Sequence, residues 1–285
     1  MLNLSPIEPV DYLIIGHLTQ DLTANGPALG GTASYAARTA QAIGLRVGIV
    51  TSCASDINLD DLKGVSISMR QADYSTTFEN NQTPNGRIQY IHHVAAELDY
   101  SMVPVTWRNT PIVHLGPVAQ EVDPRLARAF SDSQVCLTPQ GWLRSWNSDN
   151  LIHPTYWPEA RFVLENADAA VLSIEDVQGN ESRIEDMLAS IPVLVVTEGV
   201  RGARLYWNGD LRYFKPPAMV EKDPTGAGDV FAAAFFIRLS QTRDPWEAAR
   251  FATQLAANSV TRPGLAGTPS PDEVQTALLE IISKV

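Results

Sequence analysis

The chain has 285 residues, and its 21 Lys and Arg against 32 Asp and Glu give a formal net charge of −11 with His neutral. Binding along a nucleic-acid backbone needs clustered cations, whereas the lysines here are few and scattered, so we expect no nucleic-acid partner. The apolar runs are too short to span a bilayer and no basic start precedes an apolar stretch, so we expect a cytoplasmic protein without a membrane segment.

Cys53 and Cys136 lie far apart in the sequence. Neither belongs to a CxxC pair or a His-rich segment, which argues against a zinc site and against a disulfide framework. We expect two partly buried thiols.

Short apolar segments alternate with stretches that have helical patterns. Six such segments are rich in Val, Ile and Leu: Tyr12 to Ile15, Val47 to Thr51, Ile112 to Leu115, Val135 to Thr138, Ala169 to Ser173 and Val193 to Thr197. Strands separated by helices are typical of a mostly parallel sheet. The sequence therefore predicts an α/β fold.

A carboxylate and then a glycine pair follow the first predicted strand. Asp21 lies just beyond that strand's end, where α/β sheets bind ligands, although a lone Asp there is usually a solvated cap. Gly30 and Gly31 lead into a helix of small residues. Such a step lets a ligand approach the backbone closely, and it equally fits a plain packing contact between loop and helix.

One segment interrupts the α/β order. Thr76 to Glu79, a Pro84-Asn85-Gly86 turn, and Arg87 to Val94 predict a β-hairpin with Asn-Gly in its tight turn. The second arm carries apolar and polar side chains on both faces. That pattern suits a flap over a pocket, and it also suits an ordinary edge hairpin.

Common phosphate-binding and hydrolase signatures are absent from the sequence, including a Walker A loop and a GxGxxG turn. A different candidate runs from Asp223 to Asp229, directly before the apolar helical segment 230–239. Gly226 and Gly228 permit a tight turn at the helix start, where the unpaired N–H groups of Gly226, Ala227 and Gly228 can hold an anion. We expect a larger side chain at Gly228 to clash with this turn.

Asp229 lies in the same turn as the predicted anion site. A carboxylate beside a phosphate is electrostatically costly unless it has a role, and a base that accepts a hydroxyl proton during phosphoryl transfer is such a role. The alternative is that Asp229 caps the helix and the glycines only form a turn.

Two helices near the C-terminus are predicted from their start signals. Asp244 and Ser270 are each followed by a proline at the first helical position and a carboxylate at the third.

These elements, in this order and at these separations, resemble the ribokinase-like (PfkB) family of sugar kinases over nearly the whole chain. The Asp-x-Thr-Gly-Ala-Gly-Asp block is the most specific part of the resemblance, and the Gly-Gly block is its usual companion. The resemblance implies one Rossmann-like α/β/α domain over residues 1–285. It also implies a small β-sheet lid, formed by about 17–29 and 73–101, through which members of the family can form homodimers.

The resemblance implies transfer of the γ-phosphoryl group of ATP to an alcohol, with Mg²⁺ as the metal cofactor. Use of a monovalent cation such as K⁺ is compatible with it. Asp229 takes the position of the catalytic base, and Gly226, Ala227 and Gly228 take that of the anion hole. The implied substrate-binding positions are Asp21, Gly30, Gly31, Tyr35, Gln140 and Arg144. The implied nucleotide-binding positions are Thr197, Gly199, Thr225, Gly226, Gly228 and Asn258.

Departures from the family pattern bear on the acceptor and on the metal. Tyr35 stands where many members have Asn, which removes an amide and adds an aromatic wall. The family's Asn-x-x-Glu motif reads Ser173-Ile-Glu-Asp176 here, so Asp176 or Glu175 would supply the carboxylate for Mg²⁺. Arg144 suits an oxyanion contact, and a surface salt bridge would explain it equally well.

Pro224, the segment 33–35 and the segment 140–144 look more like the inositol-kinase-like branch than like ribokinase or fructokinase. The sequence therefore predicts a kinase for a sugar or cyclitol. A nucleoside or other small-alcohol kinase is the alternative within the family, and a non-catalytic sensor is the alternative outside the enzymes. A nicotinamide oxidoreductase is disfavoured because the GxGxxG loop is absent.

Overall fold

The computed structural model describes residues 7–24, 26–83 and 86–279. The helices are α1 (Thr32–Ala42), α2 (Ala160–Glu165), α3 (Glu181–Leu188), α4 (Ala227–Thr242), α5 (Pro245–Ser259) and α6 (Pro271–Leu279). The strands are β1 (Tyr12–Ile15), β2 (Thr19–Thr23), β3 (Gly26–Gly30), β4 (Val47–Cys53), β5 (Ser66–Gln71), β6 (Thr76–Thr83), β7 (Gly86–His93), β8 (Ile112–Leu115), β9 (Gln134–Leu137), β10 (Arg144–Trp146), β11 (Ile152–Pro154), β12 (Ala169–Ser173), β13 (Val193–Thr197), β14 (Ala203–Trp207) and β15 (Asp210–Phe214).

Nine strands form the central sheet in the order β15-β14-β13-β12-β9-β8-β1-β4-β5. The seven strands from β13 to β5 are parallel to their neighbours, and β14 and β15 continue the sheet antiparallel. All six apolar segments predicted as strands lie in the parallel part. The α/β fold class is therefore confirmed.

Each face of the sheet carries its own hydrophobic core. Along β1, Tyr12 and Ile14 point into one core, and Leu13 and Ile15 point into the other, because side chains alternate along a strand. Residues of α1, α4, α5 and α6 complete the first core, while α2 and α3 contribute to the second. Both faces are covered, which explains why the six predicted parallel strands are mostly apolar and gives the predicted three layers.

The chain order reverses between β1 and β8, and this is the position where α/β sheets form a crevice at their carboxyl ends. Gly16 follows β1 and Gly116 follows β8, and the Gly116 N–H donates to the Ile15 carbonyl at 2.9 Å. A Cβ on Gly16 would overlap the Gly116 carbonyl oxygen. The two backbones therefore touch at the base of the crevice, and Gly16 cannot carry a side chain there.

A separate four-stranded sheet has the order β3-β2-β6-β7. β6 and β7 pair antiparallel, which confirms the predicted hairpin, although Pro84 and Asn85 of the predicted turn lie outside the described residues. The Ile91 N–H of β7 donates to the Asn150 carbonyl at 2.9 Å. Phe78 and Ile91 form a small cluster against which Trp146 and Ile152 of the antiparallel β10–β11 pair are packed.

Both predicted helix starts are confirmed. The Asp244 carboxylate accepts hydrogen bonds from the N–H groups of Trp246 and Glu247, at 2.9 and 3.3 Å. At α6, Ser270 and Glu273 cap each other reciprocally, with the Glu273 side chain accepting from the Ser270 N–H at 2.8 Å and the Ser270 Oγ accepting from the Glu273 N–H at 3.2 Å.

The two cysteines are buried and unbonded to each other. In the described ranges, no helix combines the length and the apolar character that crossing a bilayer requires.

Candidate active site

The glycine-rich loop before α4 is fixed by Asp223. One carboxylate oxygen accepts from the Thr225 N–H at 2.9 Å, and the other accepts from the Gly264 N–H at 2.8 Å. Burial works against ionisation, but these hydrogen bonds outweigh it and lower the pKa of Asp223. The loop is thus held on both sides by a carboxylate that stays charged at neutral pH.

Gly226 takes a left-handed conformation, with φ of +79°, immediately before α4. The N–H groups of Gly226, Gly228 and Asp229 have no hydrogen-bond acceptor among the described residues. They lie at the positive end of the helix dipole, where an anion is stabilised. The prediction for Ala227 is corrected, since its N–H already donates to the Pro224 carbonyl at 3.2 Å to close the turn.

Gly226 is packed directly against an aromatic ring. A Cβ at this position would overlap the ring carbons of Tyr35, whereas a Cβ at Gly228 would meet no atom within 4 Å. The expected clash at Gly228 is therefore wrong, and the position that excludes a side chain is Gly226. Tyr35 itself is only 3% exposed, so most of its ring supports the loop and little of it can face a substrate.

Asp229, in the first turn of α4, is half-buried, and its Oδ1 accepts a hydrogen bond from the Thr32 hydroxyl at 2.7 Å. Desolvation raises the pKa of Asp229 from 3.8 to about 6; the Thr32 hydrogen bond and the charge of Arg144 oppose the rise, and the charges of Asp176 and Asp21 add to it. A carboxylate with a pKa near 6 is ionised at pH 7 and remains basic enough to accept a proton.

Thr32 was not identified from the sequence. It is the first residue of α1, directly after the Gly30-Gly31 pair, and it lies 197 positions from its partner. The sequence does show a hydroxyl side chain directly after two glycines at a predicted helix start. It does not show to which carboxylate that hydroxyl donates.

Replacing Thr32 with Val removes the hydroxyl and keeps the side-chain volume. We expect the acidic limb of the kcat/KM pH profile to move up by about one pH unit, because the ionised form of Asp229 loses a charge-assisted hydrogen bond. Thr32→Ser is the matched control, since it keeps the hydroxyl and should leave the limb in place. An unmoved limb in Thr32→Val would show that this hydrogen bond does not tune Asp229.

Charged side chains from three other segments lie near Asp229. Asp21 of β2, Arg144 at the start of β10 and Asp176 after β12 are close enough for their charges to act on its pKa. The Gln140 amide donates to Asp176 Oδ1 at 3.1 Å, and the Ser173 N–H donates to Oδ2 at 2.8 Å. The fold thus gathers three carboxylates and one guanidinium at the carboxyl edge of the sheet.

The glycine pair lies against this cluster. A Cβ at Gly30 would overlap the Asp21 carboxylate, and Gly31, with φ of +84°, is packed against the backbone of His17. Gly30 therefore permits the close approach of Asp21 to the β3 backbone.

The residues predicted to bind nucleotide lie at the end of β13, near the end of α5 and in the loop before α4. Thr197 ends β13 beside Ser173 of β12, and Gly199 follows it with φ of +58°. Asn258 is half-buried near the end of α5. Two backbone hydrogen bonds to the Val260 carbonyl, from residues 222 and 223, tie this end of α5 to the loop that carries Thr225.

The two carboxylates predicted to hold Mg²⁺ differ in position. Asp176 is half-buried and its charge helps to raise the pKa of Asp229, whereas Glu175 is exposed. In the part of the chain that the structure describes, no three His, Cys, Asp or Glu side chains form a ready-made metal site. Mg²⁺ in kinases is usually held by one or two carboxylates together with substrate phosphates, and Asp176 fits that donor set.

The chain is similar to known kinases in sequence and in fold. The model of the pfkB family of carbohydrate kinases matches residues 157–273. Ribokinase from Bacillus subtilis (strain 168) is 31% identical over 230 residues, which cover 72% of this chain and 78% of ribokinase. A cytidine kinase from Thermococcus kodakarensis is 24% identical over 277 residues, covering 87% of this chain and 95% of that kinase.

A similar solved structure is that of a pyrophosphate-dependent kinase in the ribokinase family complexed with a pyrophosphate analog and myo-inositol. It has a TM-score of 0.77 and 17% identity, and the match covers 93% of this chain and 99% of that one, which supports the fold. The ribokinase match extends over most of both chains, and the residues matched by the family model include the loop that carries Asp229. The chain therefore belongs to the PfkB family of carbohydrate kinases, phosphotransferases that act on an alcohol group of a sugar or nucleoside.

Proposed function

We propose that this protein transfers the γ-phosphoryl group of ATP to a hydroxyl of a sugar or cyclitol, with Asp229 as the general base. The observation that carries the proposal is the position of Asp229. Its carboxylate lies in the first turn of α4, beside the amides of Gly226 and Gly228 that have no acceptor among the described residues. A base and an anion site are thus adjacent, as phosphoryl transfer requires.

The roles of the two carboxylate oxygens follow from the hydrogen bonding. Thr32 occupies Oδ1, which fixes the carboxylate plane and leaves Oδ2 for the acceptor hydroxyl. The hydroxyl donates its proton to Oδ2 as its oxygen attacks the γ-phosphorus, and the bond from that phosphorus to the β–γ bridging oxygen breaks to release ADP. The amides at the start of α4 stabilise the negative charge on the transferring group because they are already oriented and need no rearrangement.

Arg144 and Asp176 are the further members of the proposed site, and the charges of both act on Asp229. The Arg144 guanidinium can donate to an oxygen of the transferring phosphoryl group, and its charge favours the ionised base. Asp176, with Glu175 beside it, would hold Mg²⁺, which supplies positive charge to the phosphates when bound. Thr197, Gly199, Thr225 and Asn258 are proposed to bind the nucleotide.

The acceptor is proposed to be a polyol. Asp21 and Gln140 offer a carboxylate and an amide, which suit hydroxyl donors and acceptors, and Tyr35 is too buried to offer a stacking surface for a base. A sugar or an inositol fits this chemistry better than a nucleoside. The cytidine kinase relative keeps a nucleoside as the second candidate.

A panel of donors and acceptors tests the proposal. We expect product from ATP with at least one sugar or inositol and little from cytidine or adenosine, measured as phosphorylated acceptor. Pyrophosphate belongs in the donor panel because the similar kinase structure is described as pyrophosphate-dependent. Turnover with pyrophosphate alone would overturn ATP as donor, and exclusive use of nucleosides would overturn the polyol acceptor.

We further propose that the four-stranded sheet acts as a lid over the acceptor. β2 carries Asp21, so this sheet brings a side chain to the acceptor side of the cluster. Amide hydrogen exchange in β6 and β7 should slow when acceptor and a nonhydrolysable donor analogue bind together, and should change little with the analogue alone. Equal exchange in all states would show that another segment closes the site.

A further inference from the structure

One histidine lies where the four-stranded sheet joins the nine-stranded sheet and its helices, which we call the body. His17 follows Gly16 at the carboxyl end of β1 and comes shortly before β2, and its side chain is fully buried. It has no role in the phosphoryl transfer proposed above. A buried imidazole is nearly always paired at its ring nitrogens, so the partners of His17 show what the ring holds together.

Four segments connect the four-stranded sheet to the body, and His17 meets all of them. The first is its own segment, before β2. At the second, after β3, a Cβ on Gly31 would lie 2.7 Å from the His17 carbonyl oxygen. At the third, the hydroxyl of Thr76, which begins β6, lies 2.6 Å from Nδ1. At the fourth, after β7, the Ala96 carbonyl oxygen lies 2.9 Å from Nε2.

The hydrogen bonds of the ring form a chain with one direction. A carbonyl oxygen can only accept, so Nε2 carries a hydrogen and donates to Ala96. In the neutral ring Nδ1 is then the acceptor, and the Thr76 hydroxyl donates to it. The same hydroxyl accepts from the Ala95 N–H at 3.0 Å. This polarity fixes the ring in one tautomer.

The backbone around His17 is tied to the body. The His17 N–H donates to Glu121 Oε1 at 3.0 Å, and the same carboxylate, which is buried, accepts from the N–H groups of residues 118 and 119. The next N–H, that of Leu18, donates to the hydroxyl of Thr51 on β4 at 2.9 Å. His17 is therefore held in the body through its backbone, and it holds the connecting segments through its ring.

Asp21 lies four residues beyond His17, on β2. Between them, Thr19 of β2 pairs with Thr76 of β6, so the ring of His17 holds the first residue of the neighbouring strand. The charge of Asp21 acts on Asp229, which belongs to the body. The place of Asp21 relative to Asp229 thus depends on how the base of the four-stranded sheet is held.

We propose that His17 is a positioning residue for the acceptor: its ring, as the Nε2–H tautomer, fixes the base of the four-stranded sheet and so the place of Asp21 in the site. The inference rests on the proposed function, in which Asp21 binds a hydroxyl of the acceptor. His17 does not touch the reacting atoms. Its loss should therefore weaken acceptor binding and leave the phosphoryl-transfer step nearly unchanged.

Thr76→Val tests the bond between the ring and β6, because it removes the hydroxyl and keeps the side-chain volume. We expect the KM for the best acceptor to rise about tenfold, the scale of one buried hydrogen bond, while kcat and the KM for ATP stay within about threefold. Thr76→Ser keeps the hydroxyl and should stay within about twofold of the wild-type acceptor KM. An unchanged acceptor KM in Thr76→Val, or a loss mainly in kcat, would overturn the assignment.

Thr77→Val is the matched control, one residue along the same strand. Thr77 is also buried, but its hydroxyl donates to the nearby Ser75 carbonyl at 2.9 Å. We expect Tm to fall in both variants and the acceptor KM to rise only in Thr76→Val. An equal rise of the acceptor KM in both would refute a positioning role for His17.

Two measurements without substrates keep this inference separate from the proposed function. The ring-nitrogen chemical shifts of His17, assigned by NMR from the signals lost in His17→Gln, should show a hydrogen on Nε2 and none on Nδ1. Amide exchange in β2 and β6 should be faster in Thr76→Val and His17→Gln than in Thr77→Val. The opposite tautomer, or equal exchange in all three variants, would overturn the inference. If no acceptor is phosphorylated, the proposed function fails, and these two measurements still decide whether His17 holds the sheet.

Discussion

Asp229→Asn is expected to lower kcat by a factor of about 10² to 10⁴, because the amide cannot take the proton from the substrate hydroxyl. The variant should still bind nucleotide, because the amide keeps the shape of the side chain. The remaining turnover reflects the amides at the start of α4 and the positioning of both substrates. Steady-state kinetics with the best acceptor, together with nucleotide binding by calorimetry, provide the test. Turnover close to that of the wild type would exclude Asp229 as the base.

The same substitution should stabilise the folded protein at neutral pH. The Asp229 proton leaves the unfolded chain near pH 3.8 and the folded chain near pH 6, so the free energy of unfolding falls as the pH rises through that window. Above pH 6 the buried charge costs about 2 kcal/mol, allowing for the partial exposure of the side chain. Thermal unfolding of Asp229→Asn should therefore show a higher Tm than wild type at pH 7.5 and an equal Tm near pH 4.

Asp244→Asn is the control for that measurement. Asp244 begins the next helix and accepts two backbone hydrogen bonds, and Asn caps helices about as well as Asp. Its Tm should change little at either pH. A lower Tm for Asp229→Asn at pH 7.5 would contradict the assigned burial cost.

Gly226→Ala is expected to lower kcat by about 10² to 10³, the usual loss when an oriented amide donor is displaced. Two effects act together, since the added Cβ would overlap the Tyr35 ring and the left-handed backbone disfavours any side chain. The loop or the ring must move, and the amides move with the loop. We therefore expect both kcat, measured by steady-state kinetics, and Tm, measured by thermal unfolding, to be lower than in the wild type.

Gly228→Ala is the matched control, two residues along the same loop. A Cβ there has open space and the backbone is helical, so Tm should stay within a few degrees of wild type. If Gly226→Ala retained both the Tm and the kcat of the wild type, the loop would not be rigidly supported by Tyr35. Combining Gly226→Ala with Tyr35→Leu should recover part of the lost Tm, because the smaller side chain relieves the overlap.

The fold could be predicted from the sequence wherever local patterns determine it. The six predicted parallel strands, such as β1, β4 and β8, are apolar because both of their faces are buried, so composition alone identifies them. The parallel edge strand β5 was not predicted, because it is largely polar and more exposed. The caps at Asp244 and Ser270 are equally local. β14 and β15 were not predicted, because Arg204 interrupts the apolar residues of β14, and Asp210 and Arg212 alternate with apolar residues in β15.

The site was predictable in part, and the errors have a common cause. Asp229 and Gly226 lie in one contiguous block that carries its own signal. The hydrogen bond from Thr32 and the packing of Tyr35 on Gly226 join segments nearly 200 positions apart, so no local pattern could reveal them. The same distance explains why Gly228 was expected to exclude a side chain when Gly226 does so.

The tie between β7 and the β10–β11 pair has a mechanical consequence. Ile91 is hydrogen-bonded to Asn150 and packed against Trp146 and Ile152, so the outer strand of the four-stranded sheet is anchored to the hairpin that begins with Arg144. If the four-stranded sheet moves as the proposed lid, the β10–β11 hairpin is expected to move with it. That movement would draw the Arg144 guanidinium away from Asp229, so opening the site would also remove a cation that favours ionisation of the base.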